Sequence, residues 1–125
     1  MELKNSTGKQ ADRPYAVFCE QAYDIVRCIP SGKVMTYGGI ASRIPKPEGI
    51  DSLAYSRIRA RWVGYAMKSC PEDVPWWRVV NAKGQISQRM GHGPLVQREL
   101  LKEEDIHLNE AQVVDLETYE WKEDQ

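Results

Sequence analysis

Apolar residues recur at steps of three and four positions along several stretches of the chain, as they do on the buried face of an amphipathic helix. The pattern predicts one helix over residues 15–29, a long one over 55–69 and a last one over 95–104. Thr36 is a suitable N-cap for a short further helix. Prolines and glycines make the segment 45–54 a loop between the second and third helices.

Short extended segments are predicted between and after the helices. Residues 74–80 and 85–87 flank a turn of sequence Asn-Ala-Lys-Gly and predict either a small hairpin or a pair of extended segments. Residues 113–122 are expected to add another extended stretch, anchored by Tyr119 and Trp121. The fold class is therefore mainly α with short strands, in a single domain.

The predicted helix over 55–69 has two faces of different character. Its buried face is expected to comprise Ile58, Trp62, Tyr65 and Ala66. Its opposite face carries Arg57, Arg61, Gly64 and Lys68. Three cations with a glycine among them suit close approach to a phosphate-rich partner. An ordinary solvated helix face is the alternative interpretation.

Composition narrows the class of protein. The 125 residues are 42% hydrophobic and 28% charged, as in a folded globular domain. No apolar run approaches the roughly 20 residues that span a bilayer, and the N-terminus lacks the apolar core of a signal peptide. We therefore expect neither a membrane protein nor a secreted one.

The net charge of −1 conceals an uneven distribution of charge along the chain. Residues 27–98 carry 12 basic and 4 acidic side chains, whereas residues 99–125 carry 2 basic and 10 acidic ones. A basic body suits a face that binds a polyanion such as nucleic acid. A solvated surface whose charges are merely sorted along the chain is an equally good explanation.

Cysteine and histidine usage gives no sign of a metal site. The residues concerned are Cys19, Cys28, Cys70, His92 and His107. They form no CxxC and no other spacing typical of zinc ligands. We expect no metal and no cofactor, and an intracellular chain with reduced thiols.

Three motifs in order resemble one known family. Residues 29–41 (IPSGKVMTYGGIA), 61–67 (RWVGYAM) and 75–80 (PWWRVV) resemble three segments of the O6-alkylguanine-DNA alkyltransferases: the turn and short helix, the recognition helix and the active-site motif PCHRVV. The resemblance covers about residues 15–105. It implies the helix-turn-helix-containing, winged-helix-like C-terminal domain of those enzymes.

One departure from the family pattern changes the implied activity. Trp76 stands where the transferases have the cysteine that accepts the alkyl group, and Trp77 stands where they have a histidine. Glu104 matches the glutamate that supports that histidine. The chain therefore resembles the non-enzymatic alkyltransferase-like proteins, in which tryptophan replaces the cysteine. Trp77 is expected to fill the space of the histidine as a core residue.

The resemblance implies recognition of O6-alkylguanine in double-stranded DNA through the minor groove, with the damaged nucleotide rotated into a pocket. The residues expected to contact DNA are Tyr37, Arg57, Arg61, Gly64 and Lys68. Arg61 matches the side chain that fills the vacated stack, and Tyr37 matches the tyrosine that crowds the 3′ phosphate. The lesion pocket is expected to comprise Pro75, Trp76, Val79 and Arg89.

The family also implies partners and an organisation of the chain. Nucleotide excision repair proteins are the expected partners, and the protein is expected to act as a monomer. Residues 117–122 resemble the end of fungal members, which favours the nucleus, or the cytoplasm in a bacterium. We divide the chain into a flexible tail (1–13), an alkyltransferase-like DNA-binding domain (14–110) and an acidic C-terminal segment (111–125).

Three alternative functions remain open from the sequence. A residual alkyltransferase could use Cys70, which follows the basic helix. A helix-turn-helix regulator could read undamaged DNA with the basic face alone. In the third alternative, Trp77 plugs the pocket and the protein binds only DNA structure.

Overall fold

The computed structural model describes the backbone of residues 2–86 and 93–122 and the side chains of residues 14–86 and 95–122. Along the chain the elements are α1 (Glu2–Cys28), β1 (Met35–Thr36), α2 (Tyr37–Ala41), α3 (Ser52–Lys68), a 3-10 helix (Trp76–Arg78), β2 (Val79–Val80), α4 (Gly93–Glu103) and α5 (Leu116–Tyr119). The mainly helical fold with short strands is confirmed. None of the described helices is long and apolar enough to cross a bilayer.

The larger of two hydrophobic clusters joins α1, α2 and α3. Phe18 of α1 is fully buried, and its ring meets the Trp62 ring of α3 edge-on with centroids 5.2 Å apart. Tyr55 completes this aromatic contact, and its hydroxyl donates to the Ile44 carbonyl oxygen at 2.9 Å. That bond attaches the start of α3 to the chain that follows α2. The orientation of α3 is therefore set by buried rings and by a buried hydrogen bond.

The smaller cluster lies under the strands and the C-terminal segment. β1 and β2 pair in parallel, with Met35 opposite Val79 and Thr36 opposite Val80. Of the two alternatives predicted for 74–80 and 85–87, the described residues do not form a hairpin of paired strands, although the Asn81 amide donates to the Gln85 carbonyl oxygen at 3.1 Å across the turn. β2 pairs with β1 because that arrangement buries both of its valines, and Gln85 instead forms a bridge with Val113.

The C-terminal segment is held at two points. Val34 exchanges backbone hydrogen bonds with Tyr119 and Trp121 at 2.9 and 2.8 Å. The rings of Tyr119 and Trp121 pack against the two hydrophobic clusters, which confirms them as anchors. The segment 113–122 is not continuously extended, since Asp115 caps α5 within it.

Two helix boundaries differ from the prediction. α1 begins at Glu2, whereas the sequence predicted a helix only from residue 15, because a helical stretch that is polar all round has no hydrophobic period. α3 begins at Ser52, because the Asp51 carboxylate accepts a hydrogen bond from the Ala54 amide at 3.0 Å. Residues 52–54 therefore form a helical turn in place of the expected end of the loop. The division of the chain into tail, domain and acidic segment stays a prediction.

The buried face of α3 is rotated from the prediction. Tyr65 is 47% exposed, whereas Val63 and Met67 are buried. Ala66 is buried as expected, and Ile58 and Trp62 are half-buried. The expectation for Tyr65 is wrong because α1 and α2 cover the side of α3 on which Tyr55, Val63 and Met67 lie.

A carboxylate joins the 3-10 helix to the end of α4. Glu104 accepts from Arg78 Nη2 at 2.6 Å, from Trp77 Nε1 at 2.9 Å and from the Gly32 amide at 3.2 Å. Arg78 Nη1 also donates to the Ile29 carbonyl oxygen at 2.7 Å. We call Gly32, Trp77, Arg78 and Glu104 the Glu104 cluster. It fixes the segment before β2 against both α1 and α4.

The Glu104 cluster keeps its carboxylate ionised. Burial by itself would raise the pKa of Glu104, but hydrogen bonds from Arg78, Trp77 and Gly32 outweigh it and lower the pKa below the ordinary value of 4.5. A lowered pKa in the folded state means that the ionised carboxylate stabilises the fold above the ordinary pKa. That contribution disappears as the pH falls through the lowered pKa.

Glu104→Gln should lower the free energy of unfolding at neutral pH by about 2–3 kcal/mol, because Arg78 then lacks its counter-ion. The variant should also lose stability less steeply than the wild type as the pH falls below the ordinary glutamate pKa of 4.5. Urea unfolding across this pH range measures both effects. Glu103→Gln, at an exposed neighbouring position, is the matched control. Parallel pH profiles for Glu104→Gln and the wild type would contradict the interpretation.

Gly84→Ala should lower the free energy of unfolding by about 3 kcal/mol or more. Gly84 has φ +83°, and a Cβ there would overlap the Val114 carbonyl oxygen. Gly49→Ala separates the two causes, because Gly49 has φ +90° with open space around its Cβ position. It should cost only about 1–2 kcal/mol of backbone strain. Equal losses in thermal or urea unfolding would show that the contact with Val114 is unimportant.

Candidate nucleic-acid interface

The exposed face of α3 carries positive charge only. Arg57, Arg61 and Lys68 are exposed together on this face, and α3 contains four basic residues and no acidic residue. This confirms the predicted grouping of the three side chains. A helix with cations alone on its solvent side attracts the phosphates of a duplex.

Gly64 lies among these cations, and the protein's own packing does not require a glycine there. A Cβ built at Gly64 would have no heavy atom within 4 Å outside its own helix and its neighbours in the chain. The backbone of α3 is therefore approachable at the centre of the basic face. Close approach of another molecule to the backbone of α3 would explain the glycine, whereas packing within the protein does not.

Tyr37 is the first residue of α2 and directly follows β1. Thr36 caps this helix, its Oγ1 accepting from the Gly39 amide at 2.9 Å, as predicted from the sequence. Tyr37 is half-buried and packs against the larger hydrophobic cluster. α2 and α3 pack directly on each other, so Tyr37 and the basic face belong to one packed unit.

The residues expected to form the lesion pocket are mostly buried. Pro75 is buried, Trp76 is 7% exposed and Val79 is fully buried in the larger cluster. Arg89 lies outside the described residues. The described members of this set are thus brought together in a single segment, the 3-10 helix and its flanks.

Trp77 has a polar role that the prediction of a core residue missed. It is half-buried, and its indole N–H donates to Glu104 where a histidine would otherwise serve the carboxylate. Its ring also meets the Trp76 ring edge-on, with centroids 6.0 Å apart. Indole keeps one N–H donor, which is the signal in the sequence that could have indicated this bond. Glu104 therefore has a partner although the histidine is absent.

The thiols are poorly placed for nucleophilic chemistry. Cys28 is exposed, whereas Cys19 and Cys70 are half-buried. Burial raises the pKa of the Cys70 thiol above its ordinary value, despite the nearby Arg27, and this reduces its thiolate fraction. A reactive cysteine needs the opposite shift or an adjacent base.

Two cavities bounded by described residues lie away from the predicted pocket. One, of about 320 Å³, is lined by Asp24, Ile25, Cys28, Arg43 and Trp121. The other, of about 280 Å³, is lined by Arg98, Glu99, Lys102, Ile106, His107, Leu108 and Gln112. Neither of these two cavities is lined by Trp76 or by the basic face of α3.

Comparison with known proteins identifies the family. Residues 17–106 match the family described as the DNA-binding domain of 6-O-methylguanine DNA methyltransferase. Alkyltransferase-like protein 1 of Schizosaccharomyces pombe is 38% identical over 112 residues, which cover 84% of this chain and 94% of that protein. A DNA base-flipping protein of Escherichia coli is 37% identical over 108 residues, covering 83% of this chain and 74% of that protein.

A solved structure agrees with the sequence comparison. The crystal structure of S. pombe Atl1 in complex with damaged DNA containing O6-carboxymethylguanine superposes with a TM-score of 0.66 at 36% identity. The match covers 86% of this chain and 96% of the Atl1 chain. The chain therefore belongs to the alkyltransferase-like proteins, within the family of the 6-O-methylguanine DNA methyltransferase DNA-binding domain.

Proposed function

We propose that this protein is a non-enzymatic sensor of O6-alkylguanine in double-stranded DNA. It binds through the minor groove, rotates the damaged nucleotide into a pocket and leaves the alkyl group in place. The observation that carries the proposal is the Trp76–Trp77 pair in a chain whose helix α3 exposes cations alone; Trp76 and the buried residues of α3 share the larger hydrophobic cluster. The first feature removes the transfer chemistry, and the second retains a surface for DNA.

On the DNA side, Arg61 fills the space that the rotated nucleotide leaves. Its guanidinium is planar and stacks on bases, and it is exposed at the centre of the basic face. Extrusion of a base costs a few kcal/mol, less for a damaged one, so a side chain that replaces the lost stacking favours it. Arg57 and Lys68 bind phosphates, Gly64 admits the groove to the helix backbone, and Tyr37 crowds the 3′ phosphate.

On the pocket side, Trp76 contacts the extruded base or its alkyl group. Pro75 and Val79 form the wall, and Arg89 lies over the lesion as a cation–π partner. Only 7% of Trp76 is exposed, so most of this residue is packed inside the protein. The Trp77 ring contacts the Trp76 ring edge-on and so helps to hold it in position.

The absence of transfer chemistry follows from the atoms at the acceptor position. Alkyl transfer in this family needs a thiolate and a base, and neither indole supplies one. Glu104 is already bound to Arg78 and Trp77, so it serves no proton relay. Cys70 has a raised pKa, which disfavours it as a substitute.

Hand-off to nucleotide excision repair proteins in the nucleus completes the proposed function. A protein that holds a lesion without repairing it needs a second activity to remove the damage. The relatives include an alkyltransferase-like protein of a fission yeast and base-flipping proteins of bacteria. The acidic segment 111–125 offers a surface for such a partner, and a solubilising role explains its charge equally well.

Wild-type protein should bind a duplex with one O6-methylguanine at least about tenfold more tightly than the unmodified duplex. Arg61→Ala should remove most of this preference, because the vacated stack then stays empty. Fluorescence anisotropy titrations with both duplexes measure it. Arg59→Ala is the matched control, since Arg59 is half-buried on the same helix and lies over the Tyr55 ring.

Equal affinity of the wild type for the two duplexes would overturn the proposal. Sequence-selective footprints on undamaged DNA would then favour a helix-turn-helix regulator. If alkylated DNA is preferred but Arg61→Ala and Tyr37→Ala bind it unchanged, the pocket is plugged and only DNA structure is recognised.

Incubation with alkylated DNA should leave the protein's intact mass unchanged, because an indole occupies the acceptor position and burial raises the pKa of the Cys19 and Cys70 thiols. Mass spectrometry after overnight incubation checks this directly. An alkyl adduct that disappears in Cys70→Ser would instead identify a residual alkyltransferase. Cys28→Ser, at an exposed thiol, controls for nonspecific alkylation.

A further inference from the structure

The segment before the basic face has its own defined structure. The Lys46 ammonium donates to the carbonyl oxygens of Ile50 at 2.7 Å and Pro47 at 3.3 Å, and so closes the loop that leads into α3. Asp51 then caps the helix through the Ala54 amide. The first turn of α3, residues 52–54, is therefore held in place rather than left to fray.

This first turn presents an apolar side chain to solvent. Leu53 is 59% exposed, one of the most exposed large hydrophobic residues in the described part of the chain. It lies four residues before Arg57 and eight before Arg61, which places it about 40° and 80° from them around the helix axis. Leu53 therefore belongs to the same face as the cations, opposite the buried Tyr55.

The spacing of Leu53 and Arg61 along α3 determines how far apart the two side chains would contact the duplex. Eight residues of helix rise about 12 Å, and stacked base pairs rise about 3.4 Å each, so Leu53 lies roughly three to four base pairs from Arg61. We propose that the first turn of α3 forms a second, one-sided contact with the duplex, in which Leu53 packs against the sugar wall of the minor groove and Arg57 binds the adjacent phosphates. The contact rests on the proposed function, since Arg61 marks the lesion.

The chemistry of the groove favours this occupant. Deoxyribose edges offer apolar surface to an aliphatic side chain, and apolar residues are a recurrent feature of minor-groove interfaces. The surface around Leu53 is continuous with the basic face, and the adjoining α3 residues Ser52, Ala54 and Ser56 are small, uncharged and exposed. Leu53 is then exposed to solvent in the free protein and becomes buried when the protein binds DNA.

Duplex truncation tests the one-sided contact. Three duplexes with a single O6-methylguanine are compared: a long one, one cut to about two base pairs on the 5′ side, and one cut likewise on the 3′ side. Wild-type protein should lose about threefold to tenfold in affinity when one particular side is cut, and little when the other is cut. Leu53→Ala should bind the long duplex about threefold to tenfold more weakly and be insensitive to that same truncation.

Two further variants test whether the effect of Leu53→Ala is specific to the face of α3 that carries the cations. Val17→Ala removes a 46% exposed apolar side chain from α1, which packs on the buried side of α3, and should leave all affinities unchanged. Leu53→Glu should weaken binding more than Leu53→Ala, because it adds a negative charge next to phosphates. Circular dichroism verifies that each variant is folded.

The outcomes separate this inference from the proposed function. If Arg61→Ala weakens lesion binding but Leu53→Ala does not, the one-sided contact is wrong and the sensor function stands. Equal sensitivity of the wild type to truncation on both sides likewise overturns the contact. If Arg61→Ala is also without effect, the proposed function fails first.

Discussion

The carboxylate of Glu104 is the polar contact on which the arrangement around the 3-10 helix depends. It receives hydrogen bonds from the turn after α1, from both residues that follow Trp76 and from no other described residue. Arg78 passes the connection on to the Ile29 carbonyl oxygen. Since β2 follows Arg78 directly, this group of charge-assisted bonds also holds the register of the sheet. Apolar residues of both hydrophobic clusters pack around the same segment.

The α2–α3 unit and the segment with Trp76 and Trp77 are held in place by different interactions. The α2–α3 unit is held by aromatic rings and by the Tyr55 hydroxyl, and it keeps its polar side chains in solvent. The segment with Trp76 and Trp77 depends more on polar contacts, because the half-buried Glu104 carboxylate accepts hydrogen bonds from Trp77 and Arg78. The exposed basic face and the segment with Trp76 are thus held by different kinds of contact. Such a division suits a protein that holds a duplex on one part and a single base on the other.

Sequence reasoning identified the features that depend on short-range pattern. The period of α3 was sufficient to group Arg57, Arg61 and Lys68, and the Thr36 cap was evident from residue type. Contacts between distant residues escaped it: Trp77 and Glu104 are 27 positions apart, and β1 pairs with a strand more than 40 residues later. The first turn of α3 escaped it as well, because nearby prolines and glycines outweighed the Asp51 cap. Arg89, which is predicted to belong to the pocket, lies outside the described residues.

The bond from Trp77 to Glu104 also bears on how such a chain changes over evolutionary time. An indole N–H satisfies the carboxylate but accepts no proton, so a cysteine that arose at position 76 alone would find no base beside it. A histidine that arose at position 77 alone could hydrogen-bond to the Glu104 carboxylate but would have no nucleophile to activate. Neither single substitution would restore both the nucleophile and the base of alkyl transfer, although Glu104 is present. The tryptophan pair therefore separates this chain from the thiol and base of the transferases by two substitutions, not one.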